Sequence, residues 1–337
     1  MTKFTQYLLN KLGWFIIAFI IALILNFLLI RLIPGNPVDA MIARMSAGGG
    51  TSGEAMEKIY ASYIAEFGLD KPIWAQFLTY VGNLAHGDLG KSFSQYPVPV
   101  STMIMQSLPW TIALQLPAIL IGWILGNILG ALVAYKKGWL DRVVFPTSLF
   151  ISTMPFYCLS ILLMYLFSVV WPILPSNGGY GYDFSPSLTW PFILSALQHY
   201  ILPFLSLVLV FIGGQAVGMR AMAIYELDAD YVRYSRSLGV KDNRIIAYIF
   251  RNAMLPQITG LALSIGTLIS GALITERVFS YPGVGTLLFD SISNEDYPVV
   301  QGITLLIMVA LLLANFLVDI AYGFIDPRIR AAETGER

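Results

Sequence analysis

Few side chains in this sequence could do chemistry, and they are scattered. Cys158 is the single cysteine and sits in an apolar run, so the chain can form neither an internal disulfide nor a cysteine-built metal site. His86 and His199 lie far apart, without the helical spacing that would aim two imidazoles at one ion, and each reads as an ordinary polar residue at a membrane edge. No HExxH pair or nucleophile elbow occurs, and the carboxylates form no recognisable acid–base pair. Ala85 to Ser92, AHGDLGKS, fits a relaxed phosphate-cradling loop. The strict pattern needs glycine at Ala85, a strand before it and a helix after it. Here a helical pattern precedes and Pro97 and Pro99 follow, so the glycines read as a tight turn. Asn315 and Asp319 stand at i and i+4 inside an apolar run. Such a pair could relay protons or join helices by hydrogen bonds, and its place near the end of the run favours the second. Asn26, Gln115, Asn127 and Gln215 are further polar residues of apolar runs, able to line a path but not ranked by the sequence.

The elements that must hold these residues are membrane helices. Of 337 residues, 57% are apolar and 12% charged, against about 25% charged in a soluble domain. No soluble globule of this size hides so much apolar surface, so the chain is an integral membrane protein. A formal net charge of zero argues against nucleic acid as a partner.

Trp14 to Ile33 is an apolar run long enough, at 1.5 Å per residue, to cross a core of about 30 Å. Lys3 and Lys11 precede it, and it reads as an uncleaved first span entering from the cytoplasm. Residues 34–109 form a polar excursion. It holds a Gly/Ser-rich spacer (Ser46 to Gly53), a Thr51/Glu54 capping pair and helical patterns over Met56 to Phe67 and Ile73 to Leu84. Further spans are expected at Thr111 to Tyr135, Val143 to Val170 (bent near Pro155), His199 to Val217, Gln257 to Thr275 and Val299 to Tyr322. In the second, Gly122, Gly126 and Gly130 clear one face for another helix. In the fifth, Gly260, Ser264, Thr267 and Gly271 do the same. Fourteen of the twenty Lys and Arg fall in the pieces expected on the cytoplasmic side, and the short external loops hold only Arg277. Six spans with both termini inside satisfy this asymmetry.

One polar stretch, Arg220 to Pro256, separates two of the long apolar runs. Leu227, Tyr231, Tyr234 and Leu238 form a helical stripe, Gly239 provides a stop, and Asp242 or Asn243 can cap a second helix with Ile245, Ile246, Ile249, Phe250 and Ala253 on one face. The segment is too small to bury these faces itself. A lipid surface or a partner protein must cover them. From Arg220 to Arg251 there are six basic and four acidic residues, and this mixed charge suits a shaped groove better than lipid alone.

This stretch resembles the EAA loop of ABC-transporter permease subunits, most closely the B-type permeases of the peptide, nickel and oligosaccharide importers. Asp230-Tyr231-Val232-Arg233 is similar to that family's D-Y-V-R, Ser235-Arg236-Ser237-Leu238-Gly239 to its A-R-A-x-G, and Arg251-Asn252-Ala253-Met254-Leu255-Pro256 to its R-N-A-L-x-P. Arg233, Tyr234 and Ser235 stand where the general Glu-Ala-Ala would be. Further phrases match along the chain: Leu32 to Pro37, Gly68 to Pro72, Gly87 to Ser92, Glu276 to Gly285, Asp296-Tyr297-Pro298, the Asn315/Asp319/Tyr322 set and Asp326 to Arg330. The resemblance implies an all-α integral membrane protein of the type I importer fold. Its parts would be residues 1–33 (N-terminus and first span), 34–109 (external helical subdomain) and 110–337 (permease core with the 220–256 coupling loop). It implies a prokaryotic inner membrane, a homologous second permease, an extracytoplasmic solute-binding protein and two cytoplasmic ATPase subunits. ATP and Mg²⁺ would lie on those ATPases, with no catalysis and no cofactor on this chain. The coupling residues would be Asp230, Tyr231, Arg233, Ser235, Arg236, Leu238, Gly239, Arg251, Asn252 and Pro256. Short peptides are the implied cargo, with oligosaccharides and chelated nickel as alternatives. A self-sufficient secondary transporter or channel is the competing class, but the internal repeats and paired charges it would need are not evident.

Overall fold

A computed structural model describes residues 3–32, 60–61, 64, 70–136, 138–266, 268 and 273–325. The Ser46 to Gly53 spacer, the Thr51/Glu54 pair, the Leu32 to Pro37 phrase beyond its first residue, most of the Met56 to Phe67 helix, Thr267, Gly271 and the Asp326 to Arg330 phrase lie outside the described residues. Among the described residues the regular structure is helical, with one isolated bridge between Lys91 and Pro99. Helix α1 is Lys3–Arg31, α2 Ile73–Ala85 and α3 Val100–Tyr135. Helices α4 (Phe145–Thr153) and α5 (Phe156–Met164) follow, then α6 (Trp190–Leu227) and α7 (Asp230–Ser237). The last are α8 (Asp242–Gly266), α9 (Leu273–Val278), α10 (Val284–Ser293) and α11 (Tyr297–Ile325).

Among the described residues, α1, α3, α6 and α11 are long and apolar enough to cross a membrane. The third expected span is a broken one. Residues Leu140–Thr153 and Phe156–Val170 meet at 102°. The cause is local, because the residue before a proline is pushed out of the helical region, and Met154 before Pro155 is extended at ψ 131°. Helices α3 and α6 overrun the spans expected from hydropathy. At 36 and 38 residues they reach about 55 Å, nearly twice the hydrocarbon thickness. The added turns at the start of α3 carry Ser101, Thr102, Gln106 and Ser107, and those at the end of α6 carry Arg220 and Glu226, which weaken the hydropathy signal. The added start of α6, Trp190 to Leu197, is by contrast largely apolar. The fifth expected span starts within α8, which passes unbroken through Pro256, and its far end is α9.

The described residues form two compact units. The first takes in those up to Pro109 and Thr286–Leu312. In it Asn26 of α1 donates to Gln301 O at 3.1 Å and accepts from the Thr304 hydroxyl at 2.6 Å, joining α1 to α11. Buried Asp296 accepts from the Phe93 and Ser94 amides, both at 3.0 Å, and from the hydroxyls of Ser92 and Ser94, fixing the loop after α2. That loop is AHGDLGKS. It follows a helix, Gly87 and Gly90 have φ of 76° and 82°, and the Asp88 carboxylate accepts from the Gly90 amide at 2.8 Å. It is a tight turn that follows a helix, and so lacks the strand-to-helix setting of a phosphate-cradling loop.

The second unit takes in Trp110–Gly285 and the described residues from Leu313 onward. Its core is Leu114, Ala118, Leu159, Leu163, Leu202 and Leu207, with Phe279 and Tyr281 closing one end. Gly122, Gly126 and Gly130 lie along α3 where α6 comes closest. A methyl group on Gly130 would sit 2.4 Å from Ala216 O, and one on Gly126 2.7 Å from Ile212 O. At Gly122 it would meet Phe211 Cβ at 2.4 Å. The hydroxyls of Ser160, Ser206 and Thr275 meet where α5, α6 and α9 converge, at 3.0 and 3.3 Å. Glu276, in the stretch expected to be external, is fully buried. Its carboxylate accepts from the Gly285 amide at 2.7 Å. Methyl groups on Gly283 or Gly285 would collide with it, so these glycines let the turn close over the acid.

Candidate functional site

The site is built where the polar ends of α6, α7 and α8 come together. Helix α6 stops at Leu227, and Ala229 turns extended with ψ 148° before α7 begins at Asp230. The expected stripe from Leu227 to Leu238 is therefore split between two helices. The residue that faces inward is Val232, fully buried against Ala134, Ala223, Ile245 and Ile249. Tyr234 and Leu238 remain 67% and 64% exposed. One short helix thus has an anchored side, held by valine, and an uncovered apolar side.

Gly239 ends α7 with φ 72°. Its amide donates to Arg236 O at 3.0 Å and the Val240 amide donates to Ser235 O at 3.1 Å. These two reversed bonds satisfy the orphan carbonyls of the last turn, and the left-handed conformation they require suits glycine. Helix α8 then starts at Asp242 itself, whose charge lies in the favourable first turn.

Polar ties hold α7 in place. The Tyr231 hydroxyl donates to Glu226 Oε2 at 2.7 Å, and Asn252 Nδ2 lies 3.4 Å from the same oxygen. One carboxylate on the last turn of α6 thus connects α7 and α8. Partial burial, and then the hydrogen bond and charge of Glu226, hold the Tyr231 phenol above its usual range, so at neutral pH it remains the donor. A second tie lies farther back on α6. Arg220 donates to Asp141 Oδ1 at 2.9 Å from Nε and makes a 2.8 Å ion pair from a terminal nitrogen. Its guanidinium also lies 4.0 Å from the Phe145 ring centroid. This fastens the turn between α3 and α4 to α6.

Asp230, Arg233 and Arg236 are exposed on α7, with Ser235 half-buried between them. Arg251, Asn252 and Pro256 are exposed along α8. One residue beyond Pro256, the Gln257 carbonyl accepts from the Trp123 indole at 2.9 Å, tying α8 to α3. On α11, Asn315 is exposed and Asp319 half-buried. Of the polar residues that could line a path, Asn26, Gln115 and Asn127 are buried between helices, while Gln215 is half-buried. Sequence reasoning passed over Glu226, Asp141 and Val232. Glu226 had a signal: it lies five residues before Tyr231, where a carboxylate at the end of one helix can meet the first turn of the next.

Residues 126–331, which include the whole of this site, match the family described as "Binding-protein-dependent transport system inner membrane component". The chain belongs to that family. It is an all-helical inner-membrane permease component, and its relatives agree over nearly full length. The di/tripeptide transport system permease protein DppB of Pseudomonas aeruginosa is 37% identical, across 96% of this chain and 98% of its own. The dipeptide transport system permease protein DppB of Escherichia coli is 35% identical over the same shares. As a permease component, the chain carries its polar α7 assembly inside the region that defines the family.

Proposed function

We propose that this chain is one of two related permease subunits of an ATP-driven importer of short peptides, and that α7 is the handle by which an ATPase subunit moves it. The observation that carries the reading is the two-sided character of α7. Val232 and the Tyr231–Glu226 bond bind one side to the ends of α6 and α8. Tyr234 and Leu238 leave the other side bare beside Arg233 and Arg236. A helix so attached transmits a push to α6 and α8, and its apolar ridge with mixed charges fits a protein groove. In this reading the ATPases bind ATP and Mg²⁺, and this chain contributes no catalytic group. Their closure tilts α7, and the spans switch between outward and inward access as packed bodies. A solute-binding protein delivers cargo on the far side, and both termini of the permease face the cytoplasm. Peptide cargo is supported by the two relatives, permease proteins of a di/tripeptide and a dipeptide transport system.

The test is reconstitution. Vesicles holding this chain, its partner permease and the ATPase pair, supplied with binding protein, should accumulate labelled dipeptide only when ATP is present. Vesicles holding this chain alone should accumulate none. Uptake by the chain alone would favour a self-sufficient transporter.

A further inference from the structure

Helix α2 has three sides of different character. One side faces α1: Phe77 and Tyr80 pack on Phe27 with ring centroids 5.3 and 5.7 Å apart, and Gln76 accepts from Arg31 Nε at 2.9 Å. The second side carries Trp74, Leu78, Val81 and Ala85, at i, i+4, i+7 and i+11. Trp74 is 68% and Leu78 62% exposed. The third carries Thr79 and Asn83, both exposed. No residue of α2 is charged.

The partners of α2 on α1 fix its depth. Lys11 and Arg31 are separated by 20 positions, about 30 Å of helix rise, which is the hydrocarbon thickness. Asn26, Phe27 and Arg31, the residues that hold α2, all lie in the last turn and a half of that rise. With the hydrocarbon spanning that rise, α2 would be held near its boundary with the headgroups. On the same stretch of α1, Leu25, Leu28, Leu29 and Leu32 are exposed and continue the lipid-facing flank of the span. At that depth an uncharged helix with a tryptophan on its bare apolar side meets the conditions of an interfacial anchor.

We propose that α2 lies on the leaflet at the Arg31 end of α1, with Trp74 and Leu78 in lipid and Thr79 and Asn83 toward water. In the topology proposed above this is the outer leaflet; the lipid contact itself does not depend on that orientation. The anchor also sets the height of the Asp296-bound loop that follows α2.

Site-directed spin labelling in phospholipid vesicles tests this. In a Cys158→Ser background, with cysteine-free partner subunits in the assembled transporter, labels are placed by Trp74→Cys, Leu78→Cys, Asn83→Cys and Leu29→Cys. Collision with oxygen, which concentrates in lipid, is compared with collision with a water-soluble nickel chelate. Positions 74 and 78 should match position 29, with oxygen exceeding nickel several-fold, and position 83 should show the reverse. High nickel access at 74 and 78 would put that side in water and overturn the proposal. Low access to both reagents would mean that a protein surface covers it, and would equally overturn it. Two positions a turn apart keep the test decisive if one variant folds poorly.

Discussion

The Tyr231 hydroxyl and the Glu226 carboxylate, 2.7 Å apart, join the first turn of α7 to the last turn of α6. If α7 is the handle, this bond is part of the linkage. Tyr231→Phe removes one hydrogen bond worth about 1 kcal/mol. Transport per ATP hydrolysed should fall several-fold, with membrane insertion and thermal stability nearly unchanged. Glu226→Ala also frees Asn252 and should cost more. Uptake and ATP hydrolysis measured together in vesicles check this, and unchanged coupling in both variants would contradict it.

Gly239 offers a graded series. Its φ of 72° costs a residue with a Cβ roughly 1–2 kcal/mol. Gly239→Asn should be the mildest change, because asparagine tolerates this region, and Gly239→Ala intermediate. Gly239→Pro also removes the amide that donates to Arg236 O. It should abolish transport while the chain still inserts and the partner ATPases still hydrolyse ATP. Wild-type uptake by the proline variant would count against the role assigned to α7.

The glycines of α3 differ sharply from a glycine on the opposing helix. Gly130→Ala places a methyl group against backbone of α6 and should destabilise by about 1–3 kcal/mol, as overpacked cores do. Gly214→Ala on α6 meets nothing within 4 Å and should leave stability equal or slightly raised. Thermal unfolding of the purified variants in detergent reads the contrast.

Asp296 accepts four hydrogen bonds from Ser92, Phe93 and Ser94 while fully buried. Asp296→Asn turns part of the acceptor into a donor facing donors, and should cost about 3 kcal/mol. Limited proteolysis should then cut between Gly87 and Pro99 in the variant but not in the wild type. Ser92→Ala removes one donor and should cost about 1 kcal/mol.

The membrane class, the broken third span and the glycine stop after α7 were all legible in sequence, because each depends on a local property: apolar length, a proline, a backbone that needs positive φ. The full extents of α3 and α6 were not, because the start of α3 and the end of α6 carry polar residues that weaken the hydropathy signal, and the apolar start of α6 follows a Pro- and Gly-rich loop that reads as continuing through it. Nor was the inward residue of α7. A stripe drawn from Leu227 assumed one continuous helix, whereas the break at Ala229 resets the phase and turns Val232 inward. Asp141 escaped notice because it works through Arg220, 79 positions away in another helix, and sequence spacing carries no record of that meeting. The five-residue spacing of Glu226 and Tyr231, by contrast, was legible only once the helix break between them was known. The burial of Asn26 and Gln115 between helices is likewise a tertiary fact that their place in apolar runs did not show.

In the proposed mechanism the bare side of α7 is gripped by an ATP-hydrolysing subunit. A photoreactive amino acid in place of Leu238, irradiated in intact cells, tests it most directly. The account predicts one dominant crosslinked product, identified by mass spectrometry as this chain joined to an ATPase subunit, with a yield that changes when ATP is depleted. Crosslinks to lipid alone, or none to any ATPase, would contradict it.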